Sequence, residues 1–128
     1  MELELTTSIE SINKITNKDV KLFRAPYGSY NNQMLELTDS LGLKTIQWDV
    51  DTLDWKGLKG VEICERVMSK VRNGSIILCH NNSNHILEAL PLMLERLLNS
   101  GYKVVSVGEL IMWENYEINS LGTQIKKG

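Results

Sequence analysis

The stretch Ser75-Ile-Ile-Leu-Cys-His80 follows the helix-stopping pair Asn73-Gly74. It is short, apolar and partly β-branched, which reads as a buried strand of a parallel sheet rather than a helix. It runs into a histidine and then the turn-forming run Asn81-Asn82-Ser83-Asn84. In α/β folds ligands and chemistry collect at the carboxyl ends of strands. His80 therefore stands where a catalytic residue would stand. Taken alone, a histidine that merely caps a strand is the plainer reading. Two further strand ends shift the balance.

Working outward from His80, helix and strand patterns alternate. Before it, residues 60–72 place Val61, Cys64, Val67, Met68 and Val71 on one side of a helix. After it, a helix carries Ile86, Leu90, Met93 and Leu97 as one stripe, with Leu87, Leu94 and Leu98 beside it. Pro91 is expected to kink that helix or restart it, and Ser100-Gly101 to end it. Lys103-Val-Val-Ser-Val107 reads as another strand, and Gly108 opens a short last helix. Residues 115–128 form a weakly patterned tail.

Toward the amino terminus, Lys44-Thr-Ile-Gln-Trp-Asp49 is a strand followed by a loop over residues 50–59. Lys21-Leu-Phe-Arg-Ala25 is a strand that meets the turn cluster Pro26-Tyr27-Gly28-Ser29. Between these two strands, Asn31 or Asn32 caps a helix carrying Met34, Leu37 and Leu41, stopped by Gly42. A first helix bears Ile9, Ile12 and Ile15, with Thr7-x-x-Glu10 as its capping box. No strand precedes it. Alternation at about 20–30 residues per unit means a parallel α/β sheet. The orphan first helix favours part of a β/α barrel over an open doubly wound sheet.

The bulk composition sets limits. The 128 residues suffice for one domain with a real core. A net charge of −2 leaves no electrostatic footprint for nucleic acid or an anionic membrane. No run approaches the roughly 18 apolar residues of a membrane span. The start, Met-Glu-Leu-Glu-Leu, lacks the pattern of an export signal, so the chain as written is expected to stay in the cytoplasm. Cys64 and Cys79 are too few for a disulfide framework and read as small core residues.

Three strand ends carry chemistry. In Phe23-Arg24-Ala25-Pro26-Tyr27, the guanidinium offers a fork of donors for a carboxylate or oxyanion, and the proline stiffens the turn. In Trp48-Asp49-Val50-Asp51-Thr52-Leu53-Asp54-Trp55, three carboxylates within six residues are costly to bury without partners. They suit a cation, or one of them suits orienting a histidine. The tryptophans beside them suit sugar rings. In Leu78-Cys79-His80, the imidazole completes the set. Parallel strands open on one face, so Arg24, Asp54 and His80 are expected to converge as an acid–base site.

These residues resemble a family. Arg-x-Pro-Tyr, Asp-x-x-Asp-Trp and Leu-x-His are similar to the last three of five signature motifs of the NodB-homology polysaccharide deacetylases, carbohydrate esterase family four. Gly74-Ser-Ile-Ile-Leu and Ala89-Leu-Pro…Gly101-Tyr also fit, and the likeness covers residues 23–111. It implies a deformed β/α barrel and a hydrolase that removes acetyl groups from peptidoglycan, chitin or related polymers, generally outside the cytoplasm. It implies a divalent metal, usually zinc, that activates water. By the same likeness His80 would be the general acid, and Asp54 would orient and charge it. Trp55 and Leu78 would line the acetyl pocket. Arg24 would hold the catalytic-base aspartate, and the Tyr27 amide would stabilise the oxyanion.

The departure from the pattern is large. The family's Thr-Phe-Asp-Asp motif, source of the base and one metal ligand, is absent, as is its His-x-x-x-His motif. The two histidines here, His80 and His85, do not have a zinc spacing. The expectation is a single truncated domain over residues 1–128, the carboxyl-terminal half of a deacetylase, without metal and inactive alone. Half a barrel leaves open edges, so it is expected to pair with a second copy or with the missing half-domain. The rival reading is a non-catalytic glycan-binding module or partner subunit, a pseudoenzyme. A third, unrelated alternative is a flavodoxin-like domain with Asp49 or Asp51 in an acidic pocket.

Overall fold

A computed structural model describes residues 2–127. The chain divides into two compact units, Met1–Gln47 and Trp48–Gly128.

In the first unit, helix α1 (Glu2–Thr16) precedes strand β1 (Leu22–Phe23), a 3-10 turn (Pro26–Gly28), helix α2 (Asn32–Ser40) and strand β2 (Lys44–Thr45). The strands β1 and β2 pair in parallel, Leu22 with Lys44 and Phe23 with Thr45. Asn31 caps α2, its Oδ1 accepting from the Met34 amide at 2.8 Å. Gly42, in the left-handed region at φ 75°, ends it as the sequence suggests. The Thr7 capping box is not formed. The helix already starts at Glu2, where Glu2 and Glu4 favour the positive end of its dipole. Thr7 lies inside, its carbonyl accepting from the Ser11 hydroxyl.

In the second unit, strand β3 (Val50–Asp51) leads through a 3-10 turn (Asp54–Lys56) into helix α3 (Gly60–Lys70), strand β4 (Ile77–Leu78) and helix α4 (Ile86–Asn99). The strands β3 and β4 are parallel, with Val50 opposite Ile77 and Asp51 opposite Leu78. Thus the strand expected over residues 44–49 is realised only at Lys44–Thr45, while Val50–Asp51, expected in the loop that follows, forms a ladder strand of the second unit. Helices α3 and α4 close on each other over a core of Val50, Cys64, Val67, Met93 and Leu97, with Ile63, Ile86 and Ala89 as its second cluster. The approach is tight at Gly60, where an added Cβ would stand 2.7 Å from the Glu88 Cβ.

The helix faces differ in part from the sequence reading. Ile63 is buried while Val61 is exposed, and Ala89 is buried while Leu90 is exposed. The small Ala89 lies where α3 and α4 approach closely, beside Gly60. Helix α4 runs unbroken through Pro91.

Two carboxyl-terminal expectations need correction. Residues 103–107 form no strand: Ser106 caps a short helix α5 (Val107–Leu110), its side chain accepting from the Glu109 amide. No neighbouring ladder pairs with this segment among the described residues, so its β-branched pattern stays unused. The tail, expected to be weakly patterned, carries an antiparallel hairpin of β5 (Tyr116–Ile118) and β6 (Gln124–Lys126). Asn119 Oδ1 accepts from the amides of Leu121 and Thr123, and Gly122 takes φ 80° to turn the chain.

Candidate functional site

The register of β3 and β4 builds the site. With Asp51 opposite Leu78, the amide of Thr52 donates to the Leu78 carbonyl at 3.2 Å, and the ladder ends there. Asp54 follows on one strand and His80 on the other. Between Thr52 and Asp54, Leu53 adopts a left-handed backbone at φ 52° and ψ 30°, a conformation that costs a non-glycine residue about 1 kcal/mol. The Asp51 carboxylate supports it by accepting the Leu53 amide at 2.9 Å. From the neighbouring helix, Arg66 Nε donates to the Asp51 carbonyl at 2.8 Å. This bend turns Asp54 inward, where its side chain has no exposed surface.

Buried, Asp54 is held by three donors. The His80 amide donates to Oδ2 at 2.7 Å, and the Ser83 hydroxyl to the same oxygen at 3.1 Å. The His80 ring nitrogen Nδ1 meets Oδ1 at 2.8 Å. Burial alone would raise the carboxyl's pKa. The hydrogen bonds from the His80 amide, the His80 ring and Ser83 outweigh it and hold the pKa below the ordinary aspartate value of 3.8. The Thr52 hydroxyl acts in the same direction without a hydrogen bond of good geometry; its Oγ1 is buried and lacks a partner.

An ionised Asp54 fixes the neutral imidazole as the Nδ1–H tautomer, so Nε2 is the basic nitrogen. The His80 side chain is 40% exposed. Among the described residues no protein group bonds Nε2. Nε2 is therefore the ring nitrogen open to an outside partner while Nδ1 is held by Asp54.

The remaining sequence candidates fall as follows. Trp55 is exposed in the 3-10 turn beside Asp54, with Lys56 Nζ 5.2 Å from its ring centroid. Leu78 is buried in β4. Cys79 is half-buried, and its thiol pKa is raised by burial and then by the charges of Asp54 and Asp51, which suits a packing role rather than a nucleophile. Cys64 is fully buried in α3. Asp49 accepts from the Ile76 amide and the Ser75 hydroxyl, each at 2.7 Å, and so staples the start of β4 rather than facing a pocket.

Arg24 and Tyr27 belong to the first unit. Arg24 borders a mainly apolar groove of about 220 Å³ that it shares with Leu5, Ile9, Ile12 and Phe23. Tyr27 sits in the 3-10 turn with a left-handed backbone at φ 58°, its side chain fully exposed. Gln47 Nε2 donates to the Gly28 carbonyl at 2.7 Å and braces that turn.

Sequence reasoning brought Asp54 to His80 but missed three supports. Ser83 was legible only as part of a turn. The bracing carboxylate of Asp51 and the left-handed Leu53 depend on backbone geometry that no spacing rule announces.

A histidine backed by a buried carboxylate just beyond parallel strand ends, on an α/β scaffold, is an arrangement suited to acid–base chemistry. Comparison with known proteins gives the class a family. A family model described as polysaccharide deacetylase matches residues 1–46. The chain is 36% identical over 87 residues to a peptidoglycan-N-acetylglucosamine deacetylase of Listeria monocytogenes, covering 68% of this chain and 18% of the relative. It is 31% identical over 107 residues to a peptidoglycan-N-acetylmuramic acid deacetylase of Bacillus subtilis, covering 84% and 22%. Among solved structures, a carbohydrate esterase family four pseudoenzyme from Bacillus anthracis superimposes with a TM-score of 0.80 at 35% identity, over 85% of this chain and 38% of that one. The chain belongs to the polysaccharide deacetylases of carbohydrate esterase family four. It spans about a fifth of the length of those two relatives and about two fifths of the pseudoenzyme.

Proposed function

We propose that this chain supplies the acid side of a polysaccharide de-N-acetylase site and does not turn over substrate by itself. The observation that carries the reading is the buried Asp54 held to His80 Nδ1 at 2.8 Å. In the reaction, the imidazolium at Nε2 protonates the amine as the carbonyl–nitrogen bond breaks, and Asp54 favours the charged ring. Trp55 and Leu78 are assigned to the acetyl pocket. Arg24 is assigned to a base aspartate outside this sequence, and the Tyr27 amide to the oxyanion. In this reading the short parallel ladders are parts of a deformed β/α barrel. The substrate class is an acetylated cell-wall or chitin-like polymer, met outside the cytoplasm as the relatives' peptidoglycan substrates suggest.

The residues present do not fit a resident metal. Both Asp54 oxygens are taken by protein donors, and His85 Nδ1 lies 3.3 Å from Glu88 on its own helix start. Among the described residues no cluster of three histidine, cysteine or carboxylate side chains forms.

A second reading, a non-catalytic glycan-binding or partner subunit, is favoured by the likeness to the pseudoenzyme, of which a mutant form is described as having restored enzymatic activity. Titration with zinc and with N-acetylglucosamine oligomers, combined with an acetate-release assay, separates the readings. Oligomer binding without zinc binding or acetate release is the expected result. Zinc bound at one per chain with acetate release would make the chain an enzyme in its own right. No oligomer binding would remove the glycan reading. Association with a second copy or a complementary half-domain is part of the proposal, supported by the exposed leucines Leu87, Leu94 and Leu98 on α4. A monomer that persists in light scattering at high concentration counts against self-pairing.

A further inference from the structure

We propose that Ser83 is a positioning residue of the Asp54–His80 pair, holding the carboxylate in place whether or not the ring is engaged. The inference rests on the deacetylase reading for its functional meaning and on hydrogen-bond geometry for its content.

Rotation about the terminal bond of an aspartate is soft, with broad wells, so hydrogen bonds must define the plane of its carboxylate. Two of the three donors come from one residue: the His80 amide to Oδ2 and the His80 ring to Oδ1. The His80 side chain is 40% exposed, and any rotation of its ring away from the carboxylate takes the partner of Oδ1 with it. The amide bond alone then leaves the carboxylate free to swing about Oδ2. Ser83 is the donor from outside His80 with a defined bond to Asp54, at 3.1 Å to Oδ2. It adds a second point of attachment on the oxygen that the ring does not use. Bonds to an sp2 oxygen prefer the carboxylate plane, so two donors on Oδ2 favour one orientation of that plane and keep Oδ1 aimed at Nδ1.

The local backbone serves this contact. Asn82 takes a left-handed φ of 58°, a conformation that asparagine tolerates better than most residues. That turn folds the run back, so that a side chain 29 positions after Asp54 reaches its carboxylate. The polar run that reads as a plain turn is thus also the clasp over the buried acid. The other groups that titrate around the carboxylate are His80 itself, Asp51 and Cys79, the last of which feels the charges of both aspartates.

The test uses the full 128-residue chain, isotopically labelled, and needs no turnover. Two signals are followed by NMR: the Asp54 carboxyl carbon against pH, and solvent exchange of the His80 Nδ1 proton. In Ser83→Ala the Asp54 midpoint should move up toward 3.8, because one of the bonds that lower it is gone. The Nδ1 proton should exchange several-fold faster. Ser83→Thr, which keeps the hydroxyl, should restore both. Should Ser83→Ala fail to fold, Ser83→Cys, similar in size with a weak donor, is read in the same way. Unchanged signals in the alanine and cysteine variants would overturn the assignment and leave Ser83 an ordinary loop residue. Missing binding of N-acetylglucosamine oligomers while these signals move removes the glycan reading but not the clasp; oligomer binding with signals that do not move does the reverse.

Discussion

Two histidine–carboxylate pairs, with their histidines five residues apart at His80 and His85, are not alike. His80 and Asp54 meet at 2.8 Å across two strand ends, with the carboxylate wholly buried and bonded to three donors. His85 and Glu88 meet at 3.3 Å across one turn of α4, with the Glu88 side chain largely in solvent. The residue chemistry is nearly the same. What differs is the supply of protein donors and the exclusion of water. A buried carboxylate that loses a partner leaves unpaired polar groups behind, whereas an exposed one exchanges its partner for water.

The largest expected effect is therefore Asp54→Asn. The amide presents an NH2 group to donors arranged for an anion. Urea denaturation should show a loss of about 3 kcal/mol, and the Nδ1–H tautomer preference of His80 should weaken in NMR. A loss below about 1 kcal/mol would mean that the pair is held no more firmly than the exposed one.

Acid sharpens the same contrast. The folded-state pKa of Asp54 lies below its ordinary 3.8, so its contribution to stability is present above that value. It is lost as pH falls below 3.8 through the lower folded value. Denaturation midpoints measured down that range should fall for the parent chain and fall less for Asp54→Asn. Parallel curves would show that the carboxylate contributes no such linkage.

Next comes the helix contact beneath the exposed pair. In Gly60→Ala the new methyl meets Glu88 Cβ and the backbone at Ala89. A loss of about 1–3 kcal/mol in thermal or urea unfolding is expected, with the Asp54 and His80 signals kept. The smallest effect is Glu88→Gln, expected to stay within about 0.5 kcal/mol. A larger loss there would erase the distinction between the two pairs.

The same contrast explains what was legible in advance. Asp54 and His80 could be paired from sequence because strand patterns, turn residues and two short motifs agree on where parallel strands end. The capping box at Thr7 was legible but wrong, because helical propensity and the acidic first turn extend α1 back to Glu2. The strand expected over residues 103–107 failed because β-branched residues need a neighbouring ladder, which local sequence does not supply. The hairpin in the tail went unseen because two three-residue strands are too short to show a period.

Sequence by itself determined the alternation of helices and strands, the stop at Gly42, a cap at Asn31 or Asn32 and the meeting of Asp54 with His80. These depend on local dihedral preferences and on side-chain periodicity, which a linear chain displays. Tertiary structure decided which carboxylate loses its water, which side chains clasp it and which face of each helix is buried. Those outcomes depend on the register of β3 against β4 and the close approach of α3 to α4, contacts between residues far apart along the chain that no local pattern encodes.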